Sequence, residues 1–292
     1  MKIIRGKSKT WDLFIKSTLG KVGLSLLIIF AIMAVLSPIW IAQNPQVYDP
    51  LTGKDPNISG SIPPTRAHPL GTDQLGRDLL SQLLKGSQIA FFVGMSVGVF
   101  STFIGTLIGL ISGYYRGKIE IVLMRLTDIV MTLPLLPLLI VISGIFGRKD
   151  IRMIVLVLSL AGWTMAARVI RSQTLTLKER PYIESARVSG ASNMRIIFKH
   201  IAPNILPLTF LYMTIGVTYA ILTEAGLGFL GLSDPTISSW GMMLQWCFMS
   251  GYTFKAPYWM IPPGLCISAL ALSFYLIGYA MEEIVNPRLR ER

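Results

Sequence analysis

The chain has 292 residues, of which 52% are hydrophobic and 14% charged, and its mean hydropathy is +0.58. A soluble domain carries about a quarter of its residues as charge, so this composition excludes a water-soluble enzyme or binding module and makes a lipid bilayer the solvent. The net charge of +12 would suit a nucleic-acid partner only if the basic residues were gathered on one folded surface, and their distribution along the chain gives a different account.

Residues 1–21 read as a cytoplasmic N-terminal segment, with Lys2, Arg5, Lys7, Lys9, Lys16 and Lys21 against a single acid, Asp12. The uncharged run 22–42 that follows is about the length that crosses a hydrocarbon core. It is longer than the apolar region of a signal peptide and reads as a retained first span. Gly6-Lys7-Ser8 matches the end of a phosphate-binding loop but lacks the earlier glycine and the preceding strand. Cys247 and Cys266 stand in no metal-ligand or redox spacing.

The segment 43–85 is polar, rich in Pro and Gly and nearly balanced in charge, and reads as an extracytoplasmic loop. It ends in His68-Pro69-Leu70-Gly71-Thr72-Asp73-Gln74-Leu75-Gly76-Arg77-Asp78. His68, with no second His or Cys nearby, reads as structural rather than as a metal ligand. Leu75, Leu79, Leu80 and Leu83 predict a short amphipathic helix along the membrane surface. In the second span, 88–113, Gly94, Gly98, Gly105, Gly109 and Gly113 make a ridge where another helix can approach closely. The third span, 121–145, is broken by Pro134 and Pro137. It holds Arg125 and Asp128, three apart on one face and expected to pair with each other. The fourth span is 153–167.

The longest charged interruption of the second half is a loop at 171–203. Pro181 stands where a helix can begin, and Gly190 is placed for the left-handed residue that ends one. A second stripe follows at Met194, Ile197, Phe198 and Ile201, with Pro203 and Pro207 expected to limit it. On pattern alone this could be a solvated basic loop. The fifth span, 205–222, carries Thr214 and Thr218 on one face, with Tyr212 and Tyr219 nearby. The two threonines are candidates for lining a pathway, the alternative being hydrogen bonds between helices. Glu224-Ala225-Gly226-Leu227-Gly228-Phe229-Leu230-Gly231 spells G-x-G-x-x-G, but a dinucleotide site needs a βαβ unit around it. The last span is 259–281. With the N-terminus inside, the cytoplasmic segments hold 19 of the 27 basic residues and the opposite side 8. That asymmetry predicts six spans with both termini cytoplasmic and explains the net charge without nucleic acid.

Two of these stretches carry a family resemblance. Glu184, Ala186, Gly190 and Pro203 match in register the E-A-A, three residues, G, nine residues, I-x-L-P loop of permease subunits in ATP-binding-cassette importers. Ser185, His200 and Ala202 depart from it. The run from His68 to Asp78 is similar, almost letter for letter, to the segment before the second span in the dipeptide, oligopeptide and nickel branch. The residues around Glu224 and Ser239-Trp240-Gly241 resemble that branch's extracytoplasmic loop. The resemblance implies an all-α, six-span fold of type I importer kind, with 22–292 a single transmembrane permease domain in a prokaryotic inner membrane. It also implies that the loop seats on cytoplasmic ATPases. Glu184 would make a polar contact, Ser185 and Ala186 would permit close approach, Gly190 would form the turn, and Pro203 would close the motif.

The spans contain almost no ionisable groups of the kind ion-coupled carriers need, and the chain has no nucleotide-binding loop. The resemblance implies as partners a second homologous permease chain, this one being the second, C-type member of the pair, two ATP-binding subunits, an extracytoplasmic substrate-binding protein and lipid, with no cofactor and no enzymatic activity of its own. The cargo implied is a di- or oligopeptide, with nickel or an oligosaccharide as alternatives. A stand-alone channel or secondary carrier remains the reading from another class.

Overall fold

The computed structural model describes residue 14 and residues 17–146 and 150–285. The basic residues before Lys21, the residues Arg148 and Lys149, and the C-terminal tail lie outside these. All regular elements among the described residues are helical, apart from an isolated antiparallel bridge between Thr72 and Asp78. They are α1 (Thr18–Gln43), α2 (Pro45–Tyr48), α3 (Leu79–Tyr115), α4 (Gly117–Thr132), α5 (Leu135–Phe146), α6 (Ile151–Lys178), α7 (Pro181–Val188), α8 (Asn193–Arg195), a π-helical turn at Ile196–Ile201, α9 (Ala202–Phe229), α10 (Trp240–Met249) and α11 (Pro257–Val285).

Among the described residues, five helices are long and apolar enough to cross a membrane: α1, α3, α6, α9 with the turns before it, and α11. The pair α4 and α5 adds a sixth crossing if it spans as one unit, and the two are bent by 80°. The bend has a local cause. Pro134 disfavours helical torsions at Leu133, which is extended at φ −72°, ψ 122°, and its missing N–H breaks the ladder.

The glycine ridge of α3 sorts its neighbours. Gly94 and Gly98 face Val217 and Ile221 of α9, whereas Gly105, Gly109 and Gly113 lie against the backbone of α6. A Cβ on Gly105 would stand 2.5 Å from the Trp163 carbonyl oxygen, so the two backbones touch. Trp240 fixes α10 in the same way. Its ring lies over Gly86, and its Nε1 donates to the Leu83 carbonyl at 2.9 Å.

The expected surface helix before the second span is absent as a separate element. Leu79 and Leu83 are buried in the first turns of α3 itself, and Leu75 is exposed in the preceding loop. What ends the loop is a buried polar hub. Asp78 caps α3, its Oδ2 accepting from the Ser81 amide at 2.7 Å and the Ser81 hydroxyl at 2.6 Å, while Oδ1 meets His68 Nδ1 at 2.9 Å. Asp73 accepts from the Leu75 and Arg77 amides, from Arg77 Nε at 2.6 Å and from Gln82 Nε2 at 3.0 Å. Both carboxylates and His68 are wholly buried, and buried polar groups persist when paired in this way. Gly71 and Gly76, at φ +80° and +81°, supply the left-handed turns.

Candidate functional site

The loop between α6 and α9 is a helix–turn–helix. Pro181 opens α7 at a position where no N–H is needed. Gly190 follows at φ +81°, with its N–H on the Arg187 carbonyl and that of Ala191 on the Ala186 carbonyl. This is a left-handed helix cap. Ser192 then caps α8. One side of this unit is sunk: Ile183, Ile196, Ile197 and Ile201 are buried with Leu110 and Tyr114 of α3 and Ile170 of α6. The Tyr114 hydroxyl reaches Asn193 Oδ1 at 2.7 Å, and Lys178 Nζ donates to the Tyr114 carbonyl at 2.5 Å.

The other side is open. Glu184, Ser185 and Gly190 are exposed and Ala186 is half-buried. Exposed apolar groups stand among them: Tyr182, Val188, Met194 and Phe198, with Val188 85% accessible. The expected stripe is thereby corrected. Ile197 and Ile201 face inward, while Met194 and Phe198 face outward, because the π turn at 196–201 changes the register. Pro203 does not stop the chain either. It sits in the first turn of α9, and Pro207 lies inside that helix. The wider turn just before accommodates a residue that has no N–H for its ladder. The fifth helix likewise runs past the expected end to Phe229, so Glu224 to Phe229 are helical rather than part of a loop.

Within the bundle, α3, α4, α6 and α9 surround a cavity of about 340 Å³. Its polar lining is hydroxylic, from Ser101, Thr102, Thr164, Tyr212 and Tyr219, among apolar groups such as Met131 and Met165. A second cavity of about 460 Å³ continues along α9, between Tyr219 and Leu230, against Pro134 and Pro137. A third, about 490 Å³, lies between α4 and α6 nearer the α7–α8 loop, and its lining includes Glu120, Arg125, Asp128, Arg168 and Arg171. Thr214 and Thr218 line none of these. Thr214 is buried, its hydroxyl donating to the Leu211 carbonyl and lying where a Cβ on Gly278 of α11 would fall. The Thr218 hydroxyl donates to the Thr214 carbonyl and to the Ala271 carbonyl of α11. They join α9 to α11. The cavity face of α9 is instead Tyr212, Ile215, Gly216 and Tyr219. Their spacing of i, i+3, i+4, i+7 is the signal that could have identified them.

The ionic pattern also differs from expectation. Asp128 pairs with Arg168 of α6 at 2.6 Å rather than with Arg125. Glu120 pairs with Arg171, whose Nε lies 2.7 Å away, and Arg116 with Glu179 at 2.6 Å. Three bridges thus tie α4 and its leading turn to α6 and the start of the loop.

Residues 105–291 match the family described as "Binding-protein-dependent transport system inner membrane component". The chain belongs to this family. The permease is 33% identical to the "Dipeptide transport system permease protein DppC" of Haemophilus influenzae, covering 96% of this chain and 94% of that one. It is 31% identical to the "Oligopeptide transport system permease protein OppC" of Bacillus subtilis, over 95% and 88%. Among solved structures, one titled "Inward facing conformations of the MetNI methionine ABC transporter" aligns with a TM-score of 0.56 at 22% identity, covering 70% of the permease and 94% of that chain. That likeness establishes the fold. The protein is therefore a multi-pass inner-membrane subunit of an ABC-type, binding-protein-dependent transporter, and its role is transport rather than catalysis.

Proposed function

We propose that this permease forms half of the translocation path of an ATP-driven importer of di- or oligopeptides. Both termini and the α7–α8 loop lie in the cytoplasm. Its partners are a second, related permease chain, two ATP-binding subunits seated on the loop, and a substrate-binding protein on the far side. The observation that carries the reading is the two-sided loop. Its exposed apolar groups, interspersed along the chain with the exposed Arg180, Arg187, Arg195 and Lys199, suit a groove on another protein. Its buried isoleucines sit on the ends of α3, α6 and α9, so displacement of the loop moves those helices together. Glu184 supplies the polar contact on the exposed side, Ser185 and Ala186 allow close approach, and Gly190 forms the turn between the two helices. A path made of hydroxyls and apolar surface suits an amphipathic organic solute, in line with the names of the relatives.

The experiment is to purify the tagged permease from its native membrane in mild detergent, reconstitute what accompanies it, and measure ATP hydrolysis and dipeptide uptake. Two ATPase copies, a second permease chain and peptide-stimulated hydrolysis are expected. A chain that emerges alone and conducts solute without ATP would replace this reading with a channel or carrier.

A further inference from the structure

The cavity between α4 and α6 is lined by three arginines and two carboxylates. Four of these five charges are consumed by the Arg168–Asp128 and Arg171–Glu120 bridges. Arg125 is exposed, lines the same space, and has no acidic partner among the described residues. The cavity is thus a vestibule with one uncommitted cation. It lies on the same two helices as the hydroxyl-lined central cavity: Val130 and Met131 give way to Asp128 and Arg125 along α4, and Thr164 and Met165 to Arg168 and Arg171 along α6.

We propose that Arg125 receives the free carboxylate of the cargo at the loop end of the path, making a solute with a terminal carboxylate the preferred class. This rests on the reading of the α4–α6 groove as the path. The central cavity offers a carboxylate only hydroxyls, so the anion is poorly compensated there. One or two helical turns further on, a guanidinium fork is available that matches a carboxylate with two parallel hydrogen bonds. A volume near 490 Å³ is within the range that holds a small organic ligand. The two bridges beside Arg125 keep the neighbouring acids from competing for it. Lysine keeps the charge but loses the fork.

The test uses the assembled transporter in phosphatidylcholine nanodiscs without its binding protein, photolabelled with a diazirine-bearing dipeptide. Labelling of the α4 and α6 segments, mapped by mass spectrometry, is expected to be blocked by dialanine roughly tenfold or more better than by dialanine amide. R125Q is expected to lose the labelling and R125K to retain part of it, with co-purifying partner chains establishing that each variant is assembled. The comparison of acid with amide in the unmodified chain stands even if a variant fails to assemble. Equal protection by acid and amide, or full labelling of assembled R125Q, would overturn the proposal. Loss of labelling in the unmodified chain when phosphatidylglycerol is added would also overturn it, assigning Arg125 to a lipid phosphate. ATP-driven dipeptide uptake by the unmodified complex, reconstituted in liposomes together with its binding protein, separates the two readings. If uptake fails, the peptide reading itself falls, whereas uptake with indifferent labelling removes only the role of Arg125.

Discussion

Gly190 holds a φ of +81° with nothing within 4 Å of where its Cβ would be, so substitution there strains torsions without creating a clash. A left-handed non-glycine residue costs roughly 1–2 kcal/mol. Gly190→Asp is expected to leave the melting temperature of the membrane bundle nearly unchanged while reducing the ATPase that co-purifies and the transport it drives. Intact docking and transport in that variant would remove Gly190 from the coupling role. On the opposite side of the bundle, two carboxylates give a pH dependence. Burial works against the Asp49 charge, but the Thr52 and Leu51 amides outweigh it and hold its pKa below the ordinary value; the Asn57 amide, with His68 beyond it, does the same for Asp55. A group whose native pKa is lowered stabilises fully above its unfolded value, about 4, and that contribution is lost as pH falls through the native value. Protection of the Leu51, Thr52 and Asn57 amides from hydrogen exchange should therefore be flat from pH 7 to about 5 and fall away below about 4. Flat protection down to pH 2 would contradict this.

At the level of elements, the glycine ridge of α3 was legible in the sequence because small residues four apart have one physical use in a membrane helix. Which partner each glycine meets was not, since that depends on the order of the helices in the bundle. Gly105→Ala places a methyl 2.5 Å from a backbone oxygen of α6 and should lower stability by about 1–3 kcal/mol. Gly264→Ala, in α11 with open space around it, should be neutral or slightly stabilising. Thermal unfolding of the two variants side by side checks the contrast. The sequence was misleading where a local pattern had a tertiary competitor. Arg125 and Asp128 have pairing geometry along one helix, yet Asp128 is taken by Arg168 across the gap. The Met194, Ile197, Phe198 and Ile201 stripe assumed a regular 3.6-residue period, which the π turn breaks. Thr214 and Thr218, by contrast, take the other role the sequence offered, hydrogen bonding between helices, on the face that packs on α11.

Over the whole molecule, hydropathy and the placement of prolines were enough to foresee a helical membrane protein whose apolar segment around Pro134 is broken. Two motifs, around His68 and around Glu184, were enough to suggest the family. The cavities were not foreseeable in the same way, because their walls come from four helices far apart in sequence and carry ordinary membrane residues. In the proposed function, the α7–α8 loop is where a partner's ATP energy would enter, and the groove along α4, α6 and α9 is where the cargo would move. Val188, an apolar residue of the loop that is 85% accessible, offers the most direct test. With Cys247 and Cys266 replaced, a Val188→Cys permease in the assembled complex should form an oxidative or short bifunctional cross-link to an ATP-binding subunit, with a yield that differs between nucleotide-free and ATP-trapped states. An assembled, transporting complex in which the Val188→Cys variant never cross-links to an ATPase would contradict the claim that energy enters through this loop.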